Sequence, residues 1–430
     1  MPLLLGYYGD DLTGSTDVME ALELRGVPTV LFTALPSAEL AGRFPDVEAV
    51  GIAGTSRSET PEWMDEHLPP VFRWLKASGA AITHYKVCST FDSSPATGSI
   101  GRALEIGAGV FGQASTPLVL GAPELKRYTA FGNLFAGFRG ENFRIDRHPV
   151  MAHHPVTPMD EADIRLHLGR QTRHSVGLVD LVALKAGIGS AEVAAALDAD
   201  PVLLFDVLDA ETQARVGALL WEFSTRCPFV VGSSGVEYAL TAPESGTPLS
   251  GRARRFAAPG SRGPIAVVSG SCSPTTERQI RFAQENGFTG IPLDVAALVG
   301  ENGEHEIARA TESGSAALSQ GSSPLLYTAL GGETAAGRGG GHWIGTALGR
   351  ILRLLIERHG LERVVVAGGD TSSHAIAELG IAALQCLQPL PRSPGSPLCL
   401  AHKREGGTIE VAFKGGQVGT DSYFALARDA

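Results

Sequence analysis

The segment YYGDDLTGSTDVMEAL (residues 7–22) places two carboxylates, Asp10 and Asp11, side by side where an apolar run ends and a helical pattern begins. Residues 3–8 predict a short buried strand, and residues 14–25 predict a helix, because apolar residues recur there at helical spacing. A strand followed by a small-polar loop and a helix is the repeating unit of a parallel α/β sheet.

The same unit recurs along the chain. Further buried strands are predicted within 28–33, 47–57, 81–90, 118–123, 176–181, 201–207 and 228–235. Residues 241–263 are rich in Pro, Gly, Ser and Arg without a hydrophobic period, which is typical of a linker. The pattern restarts after this segment. The sequence therefore predicts an α/β fold of two domains, residues 1–245 and 262–430, each a largely parallel sheet with flanking helices.

The composition is that of a globular protein, with 43% hydrophobic and 19% charged residues. A net charge of -11 without a basic block makes nucleic acid an unexpected partner. The five cysteines show no paired spacing, so neither a disulfide framework nor a zinc site is expected. No residue is assigned as a metal ligand, and direct binding of Mg²⁺ by protein carboxylates is left open. The start does not resemble a signal peptide, and no run is long enough to span a bilayer. We expect a cytoplasmic protein with no membrane partner, and a homodimer is left open.

The two carboxylates are predicted to lie at the carboxyl edge of the sheet, where open α/β folds bind ligands. For one acid alone, capping of the following helix is an equally good interpretation. Successive side chains of an extended chain point opposite ways, so one of Asp10 and Asp11 can cap while the other faces a pocket. There it could take a proton from a hydroxyl or hold a cation. A phosphatase of the haloacid-dehalogenase type is an alternative, since its first strand ends in Asp-x-Asp. Here the two acids are adjacent, so their side chains would not share a face, which disfavours that alternative.

Two other strand ends in the first half carry polar side chains. Ser56 and Arg57 offer a hydroxyl and a forked cation suited to a carboxylate, although Arg57 could instead form a surface ion pair. Lys86, followed by Ser89 and Thr90, indicates an anion or polyol site, although a lysine after a strand is often simply exposed. His84, Cys88 and the histidine-rich stretch 147–168 are given packing or structural roles.

Three loops of the second half follow strands with small residues, a pattern that favours phosphate binding through backbone N–H groups and helix N-termini. The candidate nucleotide-binding residues are Ser269, Ser271, Ser273, Gly368, Gly369, Asp370, Thr371, Lys414, Gly415 and Gly416. A fourth glycine-rich stretch covers residues 331–343. None of these is a Walker A loop. Together the loops predict a binding site for a nucleotide phosphate group.

Taken in order, these motifs resemble the four-carbon acid sugar kinase family over nearly the whole chain. The Asp-Asp-Leu-Thr-Gly motif of the family is matched by DDLTG (10–14), its Ser-Arg by Ser56–Arg57, and its Lys-x-Asp-Ser-Thr, with one departure, by KVCST (86–90). The motifs of its second domain are matched by SGSCS (269–273), GGDTS (368–372) and KGGQVG (414–419).

The resemblance implies an ATP-dependent kinase that phosphorylates a hydroxyl of a small sugar acid, with Mg²⁺ accompanying ATP. The N-terminal domain would bind the sugar acid, the C-terminal domain would bind ATP, and the active site would lie in the cleft between them. Asp10 and Asp11 would lie beside the acceptor hydroxyl, with Asp11 preferred as proton acceptor. Arg57 and Lys86 would hold the substrate carboxylate.

Three departures bear on the substrate. Cys88 stands where the family has Asp, FDS (91–93) replaces Leu-Arg-Gly, and Gln417 replaces Asn. The segment around Cys88 is similar to that of the 3-oxo-isoapionate kinase subgroup, which implies a branched or oxo sugar acid. Two other functions stay open: a non-catalytic sensor that binds a nucleotide and a sugar acid, and a sugar-phosphate phosphatase or aldolase, which would need no ATP.

Overall fold

The computed structural model describes residues 3–154, 156–330 and 341–430, so most of the fourth glycine-rich stretch lies outside the described residues. The chain divides into two compact units. The first comprises Met1–Val30 and Ala34–Arg254, and the second comprises Leu31–Thr33 and Arg255–Ala430. The division at residue 254 falls within the predicted linker. Both units are α/β, which confirms the predicted fold class.

The first unit is built on a parallel sheet. Its strands are β1 (Leu5–Gly9), β2 (Thr29–Phe32), β3 (Ala49–Ala53), β4 (Ile82–Lys86), β5 (Thr116–Val119), β6 (Arg127–Ala130), β7 (Asn133–Phe138), β8 (Glu141–Arg144), β9 (Val176–Val179), β10 (Val202–Phe205) and β11 (Phe229–Gly232). The strand order is β2-β3-β1-β4-β11-β5-β10-β9, and the pairs from β3 to β9 are parallel. Strands β6 to β8 form a separate antiparallel sheet, which the sequence analysis missed.

Helices connect these strands. They are α1 (Leu12–Leu24), α2 (Ala38–Gly42), α3 (Pro61–Ala77), α4 (Ile100–Phe111), α5 (Ile164–Gly169), α6 (Leu181–Lys185), α7 (Ser190–Ala199), α8 (Ala210–Glu222) and α9 (Gly235–Thr241). Helix α1 begins two residues before the predicted start because the Asp11 side chain caps it. Helix α4 ends where Gly112 adopts a left-handed conformation, with φ at 73°.

The second unit has strands β12 (Ala266–Ser269), β13 (Phe288–Pro292), β14 (Ser323–Tyr327), β15 (Arg363–Ala367), β16 (Ile381–Gln388), β17 (Leu398–Lys403) and β18 (Thr408–Lys414). Its helices are α10 (Pro274–Glu285), α11 (Val295–Val299), α12 (Gly303–Ser319), α13 (Gly341–His359), α14 (Gly369–Glu378) and α15 (Tyr423–Asp429). The order β13-β14-β12-β15-β18 is parallel, and β17 and β16 continue it antiparallel.

The central strands of the second unit have apolar interiors. Val364, Val365 and Val366 of β15 are fully buried, as are Val267 and Val268 of β12. Such continuous apolar runs are expected where helices cover both faces of a parallel sheet. Parallel strands end at the same edge, so each unit gathers its post-strand loops in one place. No helix in the described part of the chain is both long and apolar enough to cross a membrane.

Candidate active site

Asp11 both caps a helix and faces a cation. One of its carboxylate oxygens accepts a hydrogen bond from the Gly14 N–H, and the other lies 2.9 Å from Nη1 of Arg57. The Asp11 side chain is 24% exposed, so a ligand can still reach the carboxylate. A Cβ at Gly14 would lie 2.7 Å from this carboxylate and 3.0 Å from Nζ of Lys86, so the site requires glycine there.

Asp10 is buried. Its Oδ1 has no hydrogen-bond partner among the residues that the structure describes. Burial, with a smaller contribution from the charge of Asp11, raises the pKa of Asp10 to about 7, against the opposing effects of Arg57 and Lys86. The two acids therefore differ in environment. Asp11 combines the two roles that the sequence analysis divided between the acids, since it caps α1 and is also the acid that a ligand can reach.

The raised pKa of Asp10 predicts a specific pH dependence of stability. Its ordinary pKa is 3.8, so between about pH 4 and pH 7 the folded protein holds a proton that the unfolded chain has lost. This group therefore costs stability as the pH rises through that window, and the cost is constant above it. We expect Asp10→Asn to gain on the wild type by a few kcal/mol, as an order of magnitude, from pH 4 to pH 7. Denaturant unfolding at several pH values measures this, and a constant difference would contradict the raised pKa.

Arg57 is held between two carboxylates. Its Nη2 lies 3.1 and 2.9 Å from the two oxygens of Asp92, while Nη1 contacts Asp11. The Asp92 carboxylate also accepts hydrogen bonds from the Thr90 and Thr157 hydroxyls. Burial acts to raise the pKa of Asp92, but Arg57 and the Thr90 hydrogen bond outweigh it and leave that pKa below its usual value. Arg57 is thus part of a partly buried network with two carboxylates rather than of an isolated surface ion pair.

Lys86 is buried at the end of β4. Burial acts to lower the pKa of Lys86, but the charges of Asp17, Asp10 and Asp11 outweigh it and raise that pKa. The sequence analysis missed Asp17, which lies on α1 and accepts a hydrogen bond from the Ser234 hydroxyl. Lys86 is therefore surrounded by acids that come from one short stretch of chain.

The predicted hydroxyl residues divide between two settings. The Ser56 hydroxyl is buried and bonds to the Tyr85 hydroxyl at 3.0 Å. Thr90 joins the network through Asp92 and lies 2.9 Å from Sγ of Cys88. Ser89 is half-buried. The structure thus brings together most of the predicted first-half residues, with Ser56 turned into the protein.

In the second unit the three predicted loops approach one another. A Cβ at Gly368 would lie 3.4 Å from the Ser271 backbone nitrogen, and one at Gly416 would lie 3.0 Å from the Ser271 hydroxyl. Gly368 also has a φ of 120°, which favours glycine. The Ser269 hydroxyl is buried, and no described residue forms a hydrogen bond with it. Small residues and a free hydroxyl therefore surround one point at the sheet edge.

Two helices start beside these loops. Ser273 caps α10 by accepting a hydrogen bond from the Thr275 N–H. Helix α14 begins at Gly369 and includes Thr371, which is buried. The Asp370 side chain lies outside what the structure describes. Helix N-termini and glycine-rich backbone are the usual elements of a phosphate site.

Lys414 is turned into the protein rather than toward solvent. Its Nζ donates hydrogen bonds to the Thr276 hydroxyl at 3.0 Å and to the Gly415 and Gly416 carbonyls at 2.8 and 3.3 Å. Burial lowers the pKa of Lys414 to about 7. Gln417 accepts a hydrogen bond from the Thr275 hydroxyl. Within the described ranges, no cluster of three or more His, Cys, Asp or Glu side chains could hold a metal ion.

Comparisons with known proteins cover both units. A model described as a sugar-binding N-terminal domain matches residues 5–240, and one described as a nucleotide-binding C-terminal domain matches residues 266–424. A 3-oxo-isoapionate kinase of Paraburkholderia graminis is 45% identical, over 99% of this chain and 94% of its own length. A 3-oxo-tetronate kinase of Methylobacterium radiotolerans is 31% identical, over 100% of this chain and 99% of its own length.

A solved structure of a Haemophilus influenzae protein has a TM-score of 0.73 to this one at 25% identity, covering 98% of this chain and 99% of that protein. The similar kinases span nearly the full length of the chain, and they favour a kinase over a phosphatase, an aldolase or a sensor. The chain therefore belongs to the four-carbon acid sugar kinase family, and it is a phosphotransferase with an alcohol group as acceptor.

Proposed function

We propose that this protein is an ATP-dependent kinase that phosphorylates a hydroxyl of a small branched or 3-oxo sugar acid. The observation that carries the proposal is the group of charged side chains around Asp11 and Arg57, in the unit that matches a sugar-binding model. The name of the Paraburkholderia graminis relative supports a branched acid, since that relative is more similar to this chain than the 3-oxo-tetronate kinase of Methylobacterium radiotolerans.

The proposal also assigns each ligand to one of the two domains. Residues 1–245 would bind the sugar acid, and residues 262–430 would bind ATP. The small residues of the three second-half loops, with the free Ser269 hydroxyl, provide donors and space for the phosphates. Lys414 would position the last loop through its bonds to Thr276 and to the loop carbonyls. Mg²⁺, arriving with ATP, would neutralise phosphate charge.

In the reaction the acceptor hydroxyl attacks the γ-phosphorus in line. The new bond joins the hydroxyl oxygen to phosphorus, the bond between phosphorus and the β,γ-bridging oxygen breaks, and ADP leaves. Asp11 would orient the hydroxyl and accept its proton, because its carboxylate is partly exposed. Arg57 would hold Asp11 in position, since it is anchored on its other side by Asp92.

The proposal is tested by coupled ADP release with Mg-ATP and a panel of sugar acids. The panel contains threonate, erythronate, 3-oxo-tetronates and branched isoapionate-type acids. We expect ADP release that depends on a branched or 3-oxo acid and weak or no release with the plain tetronates. Turnover of threonate or erythronate in preference would overturn the substrate class. ATP binding without ADP release from any acid would favour the sensor.

A further inference from the structure

Arg127 lies at the same sheet edge as the carboxylates of the first unit. It begins β6, directly after the loop that follows β5, and its backbone pairs with Ala122 through hydrogen bonds of 2.9 and 3.1 Å. Strands β5 and β4 both pair in parallel with β11, so their carboxyl ends point the same way. The loop after β4 carries Cys88. Arg127 and Cys88 therefore come from neighbouring post-strand loops.

The guanidinium of Arg127 is only partly satisfied. Its Nη1 donates to the Leu125 and Lys126 carbonyls, both at 3.1 Å. Its Nε is buried and has no hydrogen-bond partner within residues 3–154, 156–330 and 341–430. No ion pair to Arg127 is formed in the described part of the chain. A buried cationic N–H without an acceptor is costly, so this group is poised for an anionic ligand.

The electrostatic neighbours of Arg127 are not carboxylates. Burial lowers the pKa of Arg127, and the groups that oppose this effect are Cys88 and Tyr128. His148 is a further neighbour, whose Nδ1 accepts hydrogen bonds from two backbone N–H groups. Cys88 also interacts electrostatically with Arg57 and Lys86, which places it among three cations. Arg127 thus lies near Cys88, as Arg57 and Lys86 do, but no described acid forms an ion pair with it.

The other two cations, Arg57 and Lys86, already have acidic side chains as neighbours. The acidic side chains around them are Asp10, Asp11, Asp17 and Asp92. Arg57 forms hydrogen bonds to Asp11 and Asp92. Against the effect of burial, the charges of Asp17, Asp10 and Asp11 raise the pKa of Lys86. Burial also raises the pKa of Asp17, but Arg57 stays bonded to Asp11 and Asp92, and Lys86 stays among Asp17, Asp10 and Asp11. Both cations thus already have carboxylate neighbours, and a third cation without one is better placed to bind an acidic substrate.

We propose that Arg127 binds the carboxylate of the sugar acid, leaving Arg57 and Lys86 to organise the aspartates. This inference rests on the proposed function, because it assigns the substrate carboxylate of that reaction. A carboxylate would accept hydrogen bonds from the free Nε–H and the adjacent N–H of the guanidinium fork. Arg127 would then select acids over neutral sugars, while Asp11 acts on the hydroxyl.

Kinetics of Arg127→Met test the assignment. With the sugar acid that the wild type turns over best, we expect KM to rise about 10- to 100-fold, which corresponds to loss of a charge-assisted hydrogen bond. KM for ATP should change less than about twofold. KM for the carboxamide of the same acid should rise several-fold less, because its carbonyl oxygen still accepts a hydrogen bond from arginine but carries no charge. Arg147→Met, which removes an exposed arginine from the same region, should leave all of these values unchanged.

Equal losses with the acid and its carboxamide would overturn the assignment, since they indicate a structural role, and so would an unchanged KM. If Arg127→Met does not fold, Arg127→Lys keeps the charge but not the fork and should raise KM for the acid alone. If the wild type turns over no acid, the proposed function fails. Calorimetric binding of isoapionate-type acids to wild type and variant then tests Arg127 separately: weaker binding by the variant supports the inference, and equal or absent binding contradicts it.

Discussion

Asp11→Asn is expected to lower kcat by about 10²- to 10⁴-fold, the usual contribution of a positioned proton acceptor. Asparagine caps a helix about as well as aspartate, so α1 should remain intact. The amide cannot accept the proton of the hydroxyl, and it no longer pairs with the charge of Arg57. ATP binding should survive, because its proposed site lies in the other unit. The measurement is kcat from ADP release together with calorimetric binding of ATP.

Asp209 provides a matched control for that variant. It also caps a helix, α8, by accepting a hydrogen bond from the Thr212 N–H, and it also pairs with a cation, Lys185, at 2.8 Å. Asp209→Asn should therefore reproduce the structural effects of the change without affecting the chemistry. Near-normal turnover by Asp11→Asn would show that Asp11 is not the proton acceptor, and similar losses in both variants would point to stability instead.

Arg363→Met is expected to destabilise the second unit by about 3–5 kcal/mol. Arg363 is 1% exposed and pairs with Glu410, its Nη2 lying 2.6 Å from the carboxylate. It also donates hydrogen bonds to carbonyl groups of the linker and the C-terminus; these are Gly260, Ala427, Arg428 and Ala430. Methionine fills a similar volume but leaves the largely buried Glu410 with only the exposed Arg262 of its two arginine partners, and it removes one donor from each of these carbonyls.

Denaturant unfolding measures this loss. The control is Arg353→Met, which removes an exposed pair with Glu357 on α13 and should change the free energy of unfolding by less than about 1 kcal/mol. A loss below about 1 kcal/mol for Arg363→Met as well would mean that the buried network contributes nothing beyond hydrophobic packing.

Local sequence signals predicted the scaffold well. The turn from β1 to α1 was predicted from Asp10, Asp11 and the helical spacing that follows, and the bounds of the strand and the helix differed by one or two residues. The clustering of the three second-half loops follows from parallel strands ending at one edge. These features depend on neighbours in sequence and on one general rule of sheet topology.

Side-chain partners across long distances could not be predicted. The hydrogen bond from Thr157 to Asp92 joins positions that are 65 residues apart in sequence. Thr157 lies in the histidine-rich stretch, whose sequence did not indicate this contact. Arg127 was missed because the antiparallel sheet that it begins has no counterpart in the predicted strand pattern. Lys414 was predicted from its glycine-rich loop, but its inward orientation depends on Thr276, a residue of another element.

Transfer of the phosphoryl group itself is the most direct test of the account. ³¹P NMR would follow Mg-ATP with a branched or 3-oxo sugar acid in the presence of the protein. We predict loss of the γ-phosphate signal with growth of one phosphomonoester signal in equal amount to ADP. Formation of ADP with inorganic phosphate alone, or no change with any sugar acid, would contradict the assignment of this chain as a sugar acid kinase.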